Sequence, residues 1–468
     1  MSLAHADVAP RSKSVADADV AWRLRIEEGR ALIRLATPIT LIALVNMGMS
    51  VTDTVMVSAL FGTGALAAVA VGSDFYSIVF YLSAGVLGGI APFYTAAVTR
   101  ADADERARLK RIGWAMVGLL AALTVPPVWL APIWLERFGL EPSLLEQGEG
   151  YTRTMALTLI PMLGVMLYRT ILTAAEKPKV FLKVTLAMLP LNAAANYVFM
   201  TGAGPVPAFG PTGAGISSLL VAAASLAVLA IIARRTSPET SATSNVQALL
   251  DWHGMAAVLR VGIPIGIATV TEVGIFLAAT LYAATLGAAE VAAHTLTLRT
   301  AGIAYAVPAA LLQASMVRMA RAESLADARV GQAVSTSSLG LSLILGTAIF
   351  LLLAAGAQPL AANFFDGSAA GIAAAQIAIG LLILLGLIEF VANPGLAAAG
   401  LLRGRKDTRA PMVFVLVGYW AVGAPIGVYL CEARGLGVTG IWIGLAAGVF
   451  VTTVLTLARL LTTRRTAS

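Results

Sequence analysis

The chain has 468 residues, 58% of them hydrophobic and only 12% charged, with a mean hydropathy of +0.85. Soluble domains carry about 25% charged residues, so water is excluded as the main solvent. The net charge of +7 does not require a nucleic-acid partner, because basic membrane proteins concentrate Lys and Arg in the loops on one side of the bilayer; no nucleic-acid partner is expected.

Residues 1–30 mix acids and bases without an apolar core or a small-residue cleavage site, and read as a polar tail, not a cleaved signal. Beyond them, about 20 mostly apolar residues suffice for one helical crossing of a hydrocarbon core about 30 Å thick. Runs of this kind are predicted at Leu32–Leu60, Leu66–Val98, Ile112–Leu135, Thr152–Ala175, Val180–Met200 and Ala214–Ala233. A second set follows at Met255–Leu286, Val291–Val317, Val334–Ala355, Ala374–Leu402, Met412–Leu430 and Val438–Leu461. The runs are continuous and rich in Ala, Leu and Gly, unlike the period-two segments of a barrel, so the expected fold is an all-α membrane protein with twelve transmembrane helices.

With both termini inside, the inner loops collect most of the basic residues. Arg23, Arg25, Arg30 and Arg34 precede the first helix, Arg100 to Arg111 lie in the next inner loop, and Arg403, Arg405, Lys406 and Arg409 in a later one. The outer loops hold only Arg137 and Arg434, so the bias fixes cytoplasmic termini.

The second half repeats the first. Arg34-Leu35-Ala36-Thr37-Pro38-Ile39 recurs as Arg260-Val261-Gly262-Ile263-Pro264-Ile265. Gly213-Ala214-Gly215-Ile216 recurs as Val438-Thr439-Gly440-Ile441, and the polar stretch 236–254 lies between the repeats. The expected division is a tail (1–30), an N-lobe of helices 1–6 (31–235), a cytoplasmic linker (236–254), a C-lobe of helices 7–12 (255–462) and a short tail (463–468). Repeated six-helix halves that rock about a central site are a carrier device.

Ionisable groups inside spans are costly and usually face a cavity, a partner or a substrate path. Asp53, in the outer half of helix 1, and Glu272, near the middle of helix 7, are the main candidates for proton exchange or Na+ ligation. Asn192 and Asn196, four apart on helix 5, share a face and offer amide oxygens to a cation beside Asp53; helix–helix glue is the alternative. Glu389 on helix 10 is a further candidate carboxylate. Asp74 and Arg299 differ by the repeat offset of 225, and are expected to form an inter-lobe pair or line the cavity. His294 reads more readily as a hydrogen-bonded interface residue than as a switch, and Met47, Met49, Met56 and Phe75 to Tyr81 as helix packing. Arg153, Arg169 and Glu176 receive no role. Lone Cys431 excludes an internal disulfide and a multi-cysteine metal site, and no Gly-x-x-x-x-Gly-Lys-Ser/Thr run is present for ATP.

Several stretches together resemble the MATE (multidrug and toxic compound extrusion) transporters, most closely the bacterial NorM-like branch, over roughly Leu32 to Leu461. They are Met49-Ser50-Val51-Thr52-Asp53-Thr54-Val55-Met56, Gly262-Ile263-Pro264-Ile265-Gly266 leading to Glu272, Ala292-Ala293-His294, Leu402-Arg403-Gly404, Tyr419-Trp420 to Gly427, and Gly440-Ile441-Trp442-Ile443-Gly444. The resemblance implies a V-shaped fold of two lobes. It makes Asp53 the first-helix carboxylate of cation coupling, Asn192 and Asn196 the fifth-helix polar positions, and Glu272 the seventh-helix acid. The sequence departs where the family's tenth-helix aspartate aligns with Ala392; Glu389, one turn earlier, and Asn393 are the polar groups at hand. Thr295 and Arg299 replace a usual glutamine and asparagine on helix 8.

The expected function is secondary efflux, antiporting H+ or Na+ against amphipathic, often cationic, organic compounds in the bacterial inner membrane. Neither an enzyme nor a cofactor is expected beyond the coupling ion, and the protein is expected to act as a monomer. A flippase for lipid or polysaccharide precursors, of the same superfamily, is the alternative; it calls for a more cationic cavity than the acid-rich set found here.

Overall fold

The computed structural model describes residues 9–137, 139, 141–236 and 251–465. A bilayer offers the backbone no hydrogen bonds, so long apolar segments close their bonds internally as helices. The helices are α1 (Ala9–Gly88), α2 (Ala91–Thr99), α3 (Ala103–Trp129), α4 (Ala131–Arg137), α5 (Pro142–Ala174), α6 (Pro178–Thr201) and α7 (Thr212–Thr236). The second half contains α8 (Trp252–Ala283), α9 (Ala288–Ser324), α10 (Ala328–Phe364), α11 (Ala369–Gly404), α12 (Arg409–Val415), α13 (Ala424–Glu432) and α14 (Gly437–Arg465). A π-helical segment, Leu416–Gly423, joins α12 to α13.

Among the described residues, eleven helical stretches are long and apolar enough to cross a membrane. One of them holds two crossings: within α1, Gly62 has φ 80° and ψ −176°, a conformation that glycine adopts without a Cβ penalty, and the chain reverses there. The total is therefore twelve. Most predicted runs fall inside one helix, as Val334–Ala355 does in α10. Leu66–Val98 and Ile112–Leu135 instead cross the breaks between α1 and α2 and between α3 and α4, and Met412–Leu430 spans α12, the π-helical segment and α13. Thr152–Ala175 and Met255–Leu286 run past the ends of α5 and α8.

The repeat also appears in the backbone, at a place the sequence reading passed over. Ala101-Asp102-Ala103 and Ala326-Asp327-Ala328 both carry alanine at positive φ, 54° and 51°. The aspartate that follows caps the next helix in each case: Asp102 accepts from the Glu105 N–H, and Asp327 from those of Arg329 and Val330.

The two halves join at the end of the bundle that carries the arginine-rich loops. There Ile90, Leu109, Ile112 and Ile171 pack with Met255, Val258 and Met316 of the second half. Leu32, Leu35 and Ile39 of α1 pack with Ala310, Leu311, Ala314, Val317 and Ala397. A Cβ on Gly85 or Gly89 would strike the backbone at Gly266 or Gly262, so these glycines let α1 and α8 touch backbone to backbone.

Ion pairs fasten the same end. Arg318 donates from Nε and Nη2 to both oxygens of Glu28, at 2.8 and 2.6 Å, and from Nη1 to Glu176 at 2.8 Å. Arg321 adds a bond to Glu176 at 3.2 Å, and Arg108 of α3 binds Asp251, the N-cap of α8, through Nε at 2.7 Å. At the opposite end the apolar clusters separate by half. One contains Val57, Tyr76, Val128 and Tyr151, the other Ile275, Leu381, Trp442 and Leu445. The molecule is thus a V, closed at its basic end.

Candidate coupling and substrate site

In the first half, α1 presents Asp53 to α6. Asn196 Nδ2 donates to Asp53 Oδ1 across 143 positions of sequence. Asn192 lies one helical turn earlier on the same buried face, and its backbone carbonyl accepts from Ser217 of α7 at 3.3 Å. The Oδ1 atoms of both asparagines are buried without a hydrogen-bond partner. A carboxylate next to two unsatisfied amide oxygens is an all-oxygen donor set, the chemistry that hard cations prefer. Tyr151 of α5 lies within the field of Asp53 and also of Asp74.

Asp74 and Arg299 are within electrostatic reach of one another but form no ion pair in this conformation. The direct pair read from their shared repeat position is absent here, because equivalent positions on two diverging halves do not have to touch.

In the second half, the Tyr305 hydroxyl on α9 donates to Glu272 Oε2 at 3.4 Å, and the charge of Arg403, in the last turn of α11, reaches both residues. Glu389 is buried beside Asn393, whose Nδ2 donates to the Glu389 backbone carbonyl at 2.8 Å and approaches its carboxylate at 3.5 Å. Asn393 Oδ1, like its two counterparts in the first half, is buried without a partner. The fields of Glu272 and Glu389 meet at Tyr305 and Tyr419, so these acids form one group although they lie on different helices. Ala392 packs against the apolar core, and the polar role on this turn falls to its neighbours.

Tyr305, Tyr419 and Arg403 were missed as site residues in the sequence. Tyr305, isolated in an apolar span, gives no signal, while Tyr419 and Arg403 stood in stretches that carried the family resemblance without marking them as site residues. His294 is fully buried and held from both sides: Trp442 Nε1 donates to its Nδ1 at 3.2 Å, and Nε2 lies 2.9 Å from Thr280 Oγ1. The Thr280 hydroxyl already donates to the Phe276 carbonyl, so Nε2 carries the proton and the imidazole is neutral. Met49, Met56, Phe75 and Phe80 pack against core clusters. Among the described residues, no group of three His, Cys, Asp or Glu side chains could hold a metal ion.

A cavity of ≈ 340 Å³ lies between the second arm of α1, α8 and the π-helical segment. Leu82, Val270, Leu416 and Trp420 line it, along with Thr271, the residue before Glu272. The Trp420 indole N–H donates to the Thr271 carbonyl at 3.2 Å, which ties the widened π turn to the helix that carries the acid.

The family model described as MatE matches residues 38–198 and 264–429, one stretch in each half. The chain belongs to the MATE family. Within it, this chain is similar to the probable multidrug resistance protein NorM of Rhizobium meliloti (strain 1021), with 31% identity over 93% of each chain. It is 32% identical to the Deinococcus radiodurans protein of the same description, over 90% of this chain and 92% of the other. The fold is that of the crystal structure of the eukaryotic MATE transporter AtDTX14, with a TM-score of 0.83 and 16% identity, over 95% of this chain and 99% of that one. The family and the fold agree with the apolar helices on a multi-pass membrane protein.

Proposed function

We propose that the protein is a secondary multidrug efflux transporter of the bacterial inner membrane, which exchanges inward-moving H+ or Na+ for amphipathic, often cationic, organic compounds. The observation that carries this reading is the Asp53 carboxylate beside the two orphaned amide oxygens of Asn192 and Asn196. A Na+ held by the three side chains would satisfy that set, and a proton on Asp53 would serve one of its two amide oxygens. Glu272, Glu389 and Asn393 form the second acidic group, next to an apolar cavity that suits the hydrophobic body of an amphipathic cation.

The basic end is cytoplasmic on this reading, with both termini inside. The lobes are 31–235 and 255–462, and the linker 236–254, most of it outside the described residues, connects them in the cytoplasm. A monomer is sufficient, because each coupling group is complete within one chain. Exchange of one inward ion for a neutral compound draws about 2.3 kcal/mol from a 100 mV potential, whereas exchange for a monovalent cation moves no net charge and draws on the ion's concentration gradient; neither needs a nucleotide.

Ethidium efflux from energised proteoliposomes tests this. Wild type and Asp53→Asn are compared under a proton gradient and under a sodium gradient, each imposed separately. Efflux driven by one gradient and lost in the variant supports antiport through Asp53 and names the ion. An unresponsive wild type counts against ethidium antiport and points to another substrate or to flipping of a lipid-linked precursor.

A further inference from the structure

Trp420 belongs to the π-helical segment Leu416–Gly423, and its placement follows from the way that segment departs from an α-helix. Pro425, at the start of α13, has no N–H to return to the Ala421 carbonyl, so the α pattern of bonds fails there and a wider turn takes its place. The widened stretch is held from two sides. Cβ atoms on Gly418 and Gly423 would press on the carbonyl oxygens of Gly448 and Gly444, so the segment lies backbone to backbone on α14. Towards α8, the Trp420 indole N–H reaches the Thr271 carbonyl at 3.2 Å.

That bond fixes the indole by its edge and leaves a face to the cavity. Trp420 is 45% exposed, and a Cβ on Gly274 would already touch its ring, at 3.6 Å, so a glycine lets the indole lie against α8. Among the described residues that line the cavity, Trp420 is the sole aromatic; Leu82, Val270 and Leu416 make the wall aliphatic. An aromatic face attracts an organic cation within about 6 Å of its centre, and aliphatic walls do not.

The same bond leads to the coupling chemistry, because Thr271 directly precedes Glu272. Around Glu272 stand Tyr305 of α9, Arg403 of α11 and Tyr419 of the π segment, with Glu389 of α11 beyond the two tyrosines. Tyr419 is the immediate neighbour of Trp420, so the widened turn touches the acid with one ring and the cavity with the next.

We propose that Trp420 selects planar aromatic cations and links them to the coupling ion: its ring face takes the aromatic body, and its N–H connects the cavity to the turn that carries Glu272. The inference rests on the efflux reading above, and adds to it a substrate class and the contact through which substrate and ion sense one another. The link is reciprocal: an ion that weakens ethidium binding is weakened by ethidium by the same factor.

Ethidium affinity of the purified full chain, in mildly acidic and mildly alkaline buffer, each with and without sodium, tests the link in wild type, Trp420→Phe and Glu272→Gln. Phenylalanine keeps an aromatic face and has no N–H. The ratio of affinities with and without the ion is internal to each protein, so a loss of folded material cancels. Wild type should show a ratio that Glu272→Gln abolishes and Trp420→Phe reduces about fivefold, the worth of one hydrogen bond. The charged and titratable groups around Glu272 are the same in wild type and Trp420→Phe, so the difference reports the indole N–H. An unchanged ratio in Trp420→Phe overturns the link.

The ring face is read separately. Ethidium should quench the Trp420 share of the fluorescence, taken as wild type minus Trp420→Phe, and Trp420→Leu should lower ethidium affinity about tenfold and affinity for uncharged phenanthridine by less. Absent quenching overturns the contact, and equal losses for the two compounds overturn selection of the cation. Failure of the efflux reading looks different: a wild type that binds no ethidium under any of these conditions overturns ethidium antiport, and this inference with it.

Discussion

The guanidinium of Arg318 grips both carboxylate oxygens of Glu28, joining the stretch ahead of the first membrane crossing to the end of α9. Both side chains are about nine-tenths withdrawn from water. Arg318→Ala leaves Glu28 buried without its partner, and is expected to cost about 3–5 kcal/mol of stability. Adding Glu28→Gln removes the stranded charge and should restore part of that loss. Thermal melts of the two single variants and the double variant in detergent close the cycle; purely additive effects would refute the coupling.

Asn196 and Asn192 both hydrogen-bond to the Asp53 carboxylate, and the Asn196 bond is the stronger of the two. Asn196→Ala should therefore lower gradient-driven efflux more than Asn192→Ala, by about 10- to 100-fold, the usual effect of losing a group that orients an ion ligand. Ethidium binding without a gradient should be unchanged in both. Rates measured in proteoliposomes at fixed internal volume decide the order, and a wild-type rate in Asn196→Ala would remove it from the coupling set.

Gly262 faces the backbone of Val86 so closely that a Cβ there has no room. Gly262→Leu should separate α1 from α8 at the basic end and destabilise the protein by about 1–3 kcal/mol, the ordinary cost of overpacking. The natural Cys431 is buried, so a cysteine introduced at Met316, itself buried between the halves, is a clean reporter. It should react faster with a polar maleimide in the Gly262→Leu background than without it; equal rates would mean that the contact does not seal this end.

Asp251 accepts the Gly254 N–H as a helix cap and binds Arg108, and these two contacts, in that order, hold its carboxyl below the ordinary carboxylate range. A depressed folded-state pKa contributes stability that is present above the unfolded value of about 3.9 and disappears as pH falls through the folded one. The difference in melting temperature between wild type and Asp251→Asn should therefore be flat from pH 8 to about 5 and shrink below about 4. Widening of the gap in acid would contradict this assignment.

The twelve crossings and their duplication were legible because hydropathy and repeat register are written along the chain itself. The spacing of Asn192 and Asn196 was readable for the same reason: four residues return to one helical face. Contacts between distant segments left no such trace. Arg318 and Glu176 looked like ordinary loop and helix-end charges, and only folding brings them to Glu28. The shared repeat position of Asp74 and Arg299 gave a topological equivalence, and the fold brings the two within electrostatic reach without a direct ion pair. Tyr305 and Arg403 escaped notice because what selects them is the field of Glu272, not their local sequence.

Leu32, Leu35 and Ile39 belong to the first crossing, yet they find their packing partners on α9 and α11, while Ile42, one turn beyond Pro38, packs with Val165 and Phe181 of the first half. During synthesis the opening helix enters the membrane long before α9 and α11 have been translated. Its lower portion must therefore rest against lipid, or a chaperone of the insertion machinery, until the late helices arrive. A ribosome that stalls after the sixth crossing would leave a nascent chain that is fully inserted but not fully folded.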